Sequence, residues 1–546
     1  MMNLTSVNNR ALGRWSGRET DFQFGDMAIA RAIRNVGYPV FLINVNNRLA
    51  VVQAGRAVMH DDSETTGYPV VGYAPPLGPG DLGDPVFKKR YDLKYAYVAG
   101  AMANGITSTE MVEKAGRAGM VGFFGAAGLC LDNIESAVDR IRQNKDNVRF
   151  GFNLIHSPGD SELEAGTVDL YLRKKIRLIS AAAFLTVTLP LVYYRVKGIY
   201  RNNNGEIVCP NKIIAKVSRI EVAKRFFSPP PEKLLTELVQ KQMITREEAR
   251  LACLIPMADD LTAEADSGGH TDNRSALTLL PVMLSLRDEL CEKYQYKKPI
   301  CVGLGGGIAT PHSTAAAFAM GAAFVLTGSV NQACVEAGTS DIVRGMLAQT
   351  RQADVTMAPS ADMFEMGVKV QVMKRGTMFP VRAEKLYNLY KKYECYEEIP
   401  DDQRAVVENN FFRSDFQEQW DRTKKFFNVK DPKQIERARK DPKHKMALVF
   451  RSYLGQASKW AVSGEPSRKI DYQIWCGPSM GAFNEWVKGT FLEKPENRDI
   501  VTVAMNLLFG ASLATRVNWL CSRGVSLGPA IKRFPPLPLN RLLQFI

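Results

Sequence analysis

The chain has 546 residues, 45% of them apolar and 23% charged, and carries a formal net charge of +14. That length exceeds one ordinary core, and that balance excludes a disordered or fibrous chain, so a main soluble domain with additions is expected. The positive charge invites nucleic acid, an anionic membrane or an acidic protein partner, with a plain solvated basic surface as the alternative. Without a zinc finger, an RNP-like aromatic signature or a long Lys/Arg block, nucleic acid is not expected.

The first residues lack the apolar run of a secretory signal. Residues 1–85 read as a small α+β unit. It has a helical pattern near Met27–Val36 and a hairpin whose arms, Pro39–Val45 and Leu49–Val52, flank a polar Asn46-Asn47-Arg48 turn. The Pro/Gly-rich stretch from Ala74 to Asp81 reads as a linker.

Residues 86–380 form the predicted main domain. Eight short apolar runs recur in it: Tyr95–Ala101, Met120–Phe124, Phe150–Leu154, Leu178–Ala182, Ile213–Val217, Leu261–Ala265, Ile300–Leu304 and Phe324–Thr327. Helical patterns lie between several of them. Thr107–Glu110 and Asp132–Glu135 read as capping boxes, and Thr310-Pro311 as an N-cap with proline in the first turn, closed by Gly321. Buried strands alternating with helices predict a parallel sheet. Eight of them favour a (β/α)₈ barrel over a doubly wound open sheet.

The crossover at 219–260 is too long for a simple unit and reads as an inserted helical lid or dimer element. Residues 381–546 read as a mainly helical C-terminal domain. Its aromatics, Tyr387, Tyr390, Trp420, Trp460, Trp475, Trp486 and Trp519, are expected to pack in cores and interfaces. Two apolar stretches, Leu178–Tyr194 and Val501–Val517, are broken by polar residues and read as buried core, not membrane spans. Nine scattered cysteines without a CxxC pair point to reduced thiols in a cytoplasmic chain, with no metal site.

Barrel enzymes hold phosphate in the loops after strands seven and eight. Here the seventh run opens into Gly305-Gly306-Gly307 ahead of the Thr310-capped helix, and the eighth into Thr327-Gly328-Ser329. Glycine amides and a helix N-terminus suit an anion; tight turns around a packed helix are the alternative. The sixth run ends in Glu264-Ala-Asp-Ser-Gly-Gly-His270. An imidazole there can give or take a proton near neutral pH, or else cap backbone or hold phosphate. Gly268 and Gly269 would give a ligand room to lie across them, and Asp266 would orient its neighbours. Asn153 can bond a heterocycle edge and Lys216 can support an electron-rich group, with His156 close by; each is also a plausible plain rim residue.

These residues together resemble the 2-nitropropane dioxygenase/nitronate monooxygenase-like flavoproteins. The likeness lies in Gly100-Ala101-Met102-Ala-Asn-Gly, Ala118-Gly-Met-Val-Gly, the Gly-x-Asn-Leu third strand and the three glycine loops. It departs at Asp266-Ser267, where Glu-Ala is usual. Longer stretches, among them Gly151–Pro158, Glu264–Arg274, Thr327–Ser340 and Ala358–Lys369, are similar to the PfaD family. Its members are enoyl reductase subunits of bacterial polyunsaturated fatty acid synthases, with relatives in trans-acyltransferase polyketide systems.

The resemblance implies FMN as prosthetic group, NADPH as reductant, and hydride delivery through the flavin to the β-carbon of an enoyl chain on acyl carrier protein. It also implies that Ala101 and Met102 join the glycine loops, Asn153, Lys216 and Asp266 around the cofactor. His270 is the candidate proton donor, with bound water as rival. The implied partners are acyl carrier protein domains and other synthase subunits, with a homodimer left open; the +14 charge would then serve carrier docking. Three other functions compete: a nitronate-oxidising flavoenzyme, a non-catalytic scaffold, and a non-flavin barrel of the inosinate dehydrogenase type. The last needs a nucleophilic cysteine after the sixth strand, where none stands.

Overall fold

In the computed structural model, which describes residues 11–59, 66–143, 148–156 and 161–546, eight parallel strands close into a barrel. They are Tyr97–Ala99, Val121–Phe124, Phe150–Ile155, Leu178–Ala182, Lys212–Val217, Asp260–Glu264, Cys301–Gly305 and Val325–Thr327. The last pairs with the first, Val325 opposite Tyr97, so the open-sheet alternative falls. The predicted runs match these strands to within one or two residues. The first ten residues, and with them most of the segment judged to lack a signal, lie outside the described residues.

The barrel is plugged at its base. Helix Pro85–Tyr91 inserts Phe87, which stacks on Phe324 with ring centroids 4.1 Å apart, among Val98, Val121, Phe123 and Ile214. Asp260, fully buried at the start of the sixth strand, accepts from the Tyr91 hydroxyl at 2.7 Å and from the Cys301 amide at 2.8 Å, and is paired with Arg90. Burial pushes its carboxyl up to about 6, against the pull of Arg90 and Tyr91.

The helix caps differ in detail from the sequence pattern. Ser108, not Thr107, caps helix Thr109–Arg117, with Oγ accepting from the Met111 amide. Thr107 instead donates to the Gly100 carbonyl at 2.8 Å and accepts from the Met102 amide at 2.9 Å, bracing the loop after the first strand. Helix Leu131–Gln143 starts ahead of Asp132, which therefore lies in its first turn. Thr310 does cap helix Pro311–Ala319, in a reciprocal pair with Ser313.

The 219–260 segment holds three helices, Ile220–Phe227, Glu232–Gln240 and Arg246–Ala252. The last two pack on helix Leu189–Val196, and Glu248 accepts from the Gly198 amide at 2.6 Å, at the end of the barrel where strands begin. They therefore do not roof the opposite end, where strands finish, and the lid interpretation is corrected.

The C-terminal region is not one domain. Helices from Phe379–Lys392 to Pro442–Ser463 enclose their own core of Phe364, Leu386, Phe411, Phe412, Trp420 and Phe450. Beyond it, helix Ile500–Ser522 returns to the barrel and lies between helices Pro311–Ala319 and Thr109–Arg117, where an eighth barrel helix belongs. By length and composition it could cross a membrane, yet 89% of its most apolar stretch is buried in the fold. Of the C-terminal tryptophans, Trp519 is exposed rather than packed.

The other face of this helix meets the N-terminal unit, a six-stranded antiparallel sheet. Its hairpin, Val40–Val45 with Arg48–Val52, turns on Asn46 and Asn47, both at positive φ (49° and 62°), as a two-residue turn between twisted strands requires. Arg516, fully buried and facing no carboxylate among the described residues, donates to the carbonyls of Ile33, Asn35 and Tyr38 at 2.6–2.9 Å. Burial pushes its guanidinium down to about 10. Arg516→Met should strand those carbonyls and cost about 3 kcal/mol or more; urea unfolding measures this, and an unchanged midpoint would contradict the clamp.

Candidate active site

Inward residues change character along the barrel axis, from the aromatic base to a polar mouth where strands end. At the mouth Lys216 pairs with Glu264 at 2.5 Å, and Ser267 Oγ donates to the same carboxylate at 3.1 Å. Thr262, one layer deeper on the sixth strand, is fully buried and its hydroxyl has no partner among the described residues. Asn153 accepts at Oδ1 from the Ala126 and Ala127 amides, at 2.7 and 3.3 Å, which leaves Nδ2 as its available donor.

Strands seven and eight are neighbours, with Gly305 opposite Leu326, so their loops emerge side by side. Gly306 and Gly307 both have positive φ, 87° and 75°. A Cβ on Gly306 would lie 2.7 Å from the Ala265 carbonyl carbon, whereas nothing lies within 4 Å of a Cβ on Gly307 or Gly328. The amides of Gly306, Gly307 and Gly328 donate to no protein atom among the described residues. Unpaired amides, beside open space at Gly307 and Gly328, have the chemistry that suits an anion.

Thr327 is not part of that set. Its buried hydroxyl is consumed behind the loop, donating to Tyr97 at 2.5 Å and accepting from Asn331 Nδ2 at 2.8 Å. Ser329 Oγ accepts from the Gly477 amide at 3.0 Å. Met102 is held through its backbone: a Cβ on Gly125 would stand 1.7 Å from its carbonyl oxygen, so the first two loops touch. Ala101, next to it, packs against the barrel interior.

The loop after the sixth strand is bound into a second, three-stranded sheet. Gly269–His270 pairs with Lys369–Met373, which pairs with Val355–Pro359. Asp266 accepts from Asn273 and Gln371, both at 2.8 Å, and Gln371 also donates to the Ser267 carbonyl at 2.8 Å. Asp266 thus orients the loop. Gly268 is required by the chain itself rather than by a ligand, because a Cβ there would meet the Cys476 backbone at 2.9–3.0 Å. Gly269 has φ 81° and faces the half-buried Trp475 ring.

His270 Nε2 lies 3.2 Å from Asp362 and 3.3 Å from Ser360 Oγ, and Ser360 also bonds Asp362. Partial desolvation pushes the Asp362 carboxyl up although more than half of its side chain is exposed, and the bonds from His270 and Ser360 outweigh this and hold it at about 2. His156 stands apart from this group: its Nδ1 lies 3.0 Å from the buried Glu164, and its ring stacks on Phe184. Residue pattern alone does not single out Asp362, Ser360 or Gln371, although all three lie in or beside the Ala358–Lys369 stretch. Nothing local points to the Trp475–Gly477 segment.

Residues 87–391 match the nitronate monooxygenase family, residues 15–76 the fatty acid synthase subunit PfaD N-terminal domain, and residues 393–472 the inserted helical domain of acyl-carrier-protein S-malonyltransferase. The chain is 48% identical over 428 residues to polyketide biosynthesis protein PksE of Bacillus subtilis (strain 168), covering 78% of this chain and 55% of that one. It is 46% identical over 448 residues to a polyunsaturated fatty acid synthase subunit of Thraustochytrium sp., covering 81% of this chain and 30% of that one. These matches span about half or less of the relatives' own length. The solved enoyl reductase domain of MlnA, from the macrolactin biosynthesis cluster of Bacillus amyloliquefaciens, aligns with a TM-score of 0.77 at 42% identity, covering 80% of this chain and 99% of that domain.

A depressed carboxyl contributes stability above its unfolded value of about 3.9 and loses it as pH falls through the folded value. The stability difference between this chain and Asp362→Asn should therefore be full above about pH 4 and vanish near pH 2. Denaturant titrations across that range check it, and a difference that persists at the acid end would contradict the His270–Asp362 contact.

Proposed function

Because this chain belongs to the PfaD family, within the nitronate monooxygenase superfamily, we propose that it is an FMN-dependent enoyl reductase. It reduces the 2,3 double bond of enoyl thioesters on acyl carrier protein, with NADPH as reductant, during polyunsaturated fatty acid or polyketide synthesis. The observation that carries this proposal is the cradle of unpaired amides at Gly306, Gly307 and Gly328, which fits a terminal phosphate.

FMN, when bound, supplies the two-electron carrier between nicotinamide and enoyl chain. The chain's own residues bind and orient. Gly306, Gly307 and Gly328 hold the phosphate, and Asn153 Nδ2 offers a donor to a heterocycle edge. The Lys216–Glu264 pair places an ammonium at the mouth without an uncompensated charge. Asp362 and Ser360 fix the His270 ring through Nε2, which leaves Nδ1 to deliver the proton to the α-carbon of the substrate. Other subunits of such a synthase are the proposed partners. The nine free thiols support placing the protein in the cytoplasm.

Anaerobic half-reactions test the proposal. NADPH should bleach the flavin absorbance and an enoyl thioester should restore it without oxygen. A requirement for oxygen, or re-oxidation by a nitronate instead, would replace this function with the oxidase. His270→Gln should leave bleaching intact and slow the enoyl step about 10²–10⁴-fold; an unchanged enoyl step would leave water as proton source.

A further inference from the structure

We infer that helices Phe416–Lys430 and Pro432–Lys440 form the surface on which an acidic carrier domain docks to bring its thioester to the barrel mouth; this rests on the enoyl reductase function above. The two helices pack on each other within the helical insertion. Residues 416–445 contain ten Lys/Arg and five Asp/Glu, so more than a third of the +14 net charge is concentrated in this short segment.

A charged helix face is usually only solvated, and three features set this one apart. First, Lys424, Lys425, Arg439 and Lys440 form no ion pair among the described residues, whereas nearby bases do, as in Arg422–Glu418 and Lys443–Glu394. Lys425, Arg439 and Lys440 are exposed, so their charge is directed at solvent. Second, Phe426, next to Lys425 in sequence, keeps 49% of its surface exposed while the Lys459 ammonium stands 5.7 Å from its ring centroid, an apolar anchor beside basic side chains.

Third, the inner side of the pair is built into the mouth. Gln434 Oε1 lies 2.9 Å from His444 Nε2, and His444 Nδ1 lies 2.9 Å from Glu365. Arg451 donates to the Ala361 carbonyl at 2.9 Å, and the next residue, Asp362, holds His270. On the far side, Lys433 reaches to 4.0 Å from Glu162, on the helix that follows the third barrel strand. A partner seated on these helices is thus placed over the rim of the mouth, and a negative partner is both steered to it and held there.

The test is a full-length charge reversal, Lys424→Glu, Lys425→Glu, Arg439→Glu and Lys440→Glu together, none of which touches the barrel mouth. An enoyl group is presented once on its carrier protein and once on N-acetylcysteamine. KM for the carrier-bound substrate should rise at least tenfold and lose its salt dependence, while kcat and the small-thioester kinetics stay the same. An unchanged carrier KM would overturn the docking surface. Binding of labelled holo-carrier, followed by fluorescence anisotropy, reads the surface apart from turnover. If the unaltered chain reduces neither thioester, the reductase function fails, but the surface stands if reversal abolishes carrier binding and falls if it does not.

Discussion

The barrel's outer layer stays incomplete until helix Ile500–Ser522 arrives, and that helix comes only after the long excursion from Gly328 to Asp499. Without it, the apolar flanks of helices Pro311–Ala319 and Thr109–Arg117 and the inner face of the N-terminal sheet would meet water together. The chain must therefore leave the eighth strand, build its helical insertion and return. On leaving it lays down strand Lys369–Met373, and on returning it threads Trp475–Gly477 past the same mouth. The Cys476 amide donates to the Gln371 carbonyl at 3.3 Å, and the Gly477 amide donates to Ser329 at 3.0 Å, so the two passes are tied to each other and to the loop after the eighth strand. Closing the barrel and completing its mouth are one topological act.

The same arrangement separates dry from polar space. Phe87 and its neighbours seal the base, so the buried charges there, Asp260 with Arg90, serve structure. At the mouth, polar groups are held through one atom and keep another valence open: Asn153 through Oδ1, His270 through Nε2, Ser329 through its acceptor lone pair. Groups fixed in this way are preorganised, which is what positioning catalysis asks of a scaffold around a reactive cofactor.

Most of the barrel was legible in the sequence because a buried parallel strand is mostly apolar: Leu178–Ala182 and Ile213–Val217 read as apolar runs, broken only by Ser180 and Lys216, and both fall in strands. The Asn46-Asn47 turn was legible because few residues accept two consecutive positive φ values. Other features left no local trace. Thr107 and Ser108 are equally good caps in isolation, and only the Gly100 carbonyl, brought close by the barrel, decides between them. The glycine loops read in sequence as a candidate phosphate site together with Thr327, but the Thr327 hydroxyl is turned inward by Tyr97 and Asn331. The return of Ile500–Ser522 to the barrel, and with it Trp475–Gly477 to the mouth, depends on long-range packing that no window of sequence contains.

The central claim is that Gly306, Gly307 and Gly328 grip a flavin by its phosphate, and the direct measurement compares the binding of FMN and riboflavin to the cofactor-free protein. Two charge-assisted amide bonds contribute about 3 kcal/mol or more together. FMN should therefore bind at least about 10²-fold more tightly than riboflavin, and equal affinity for the two would contradict the cradle.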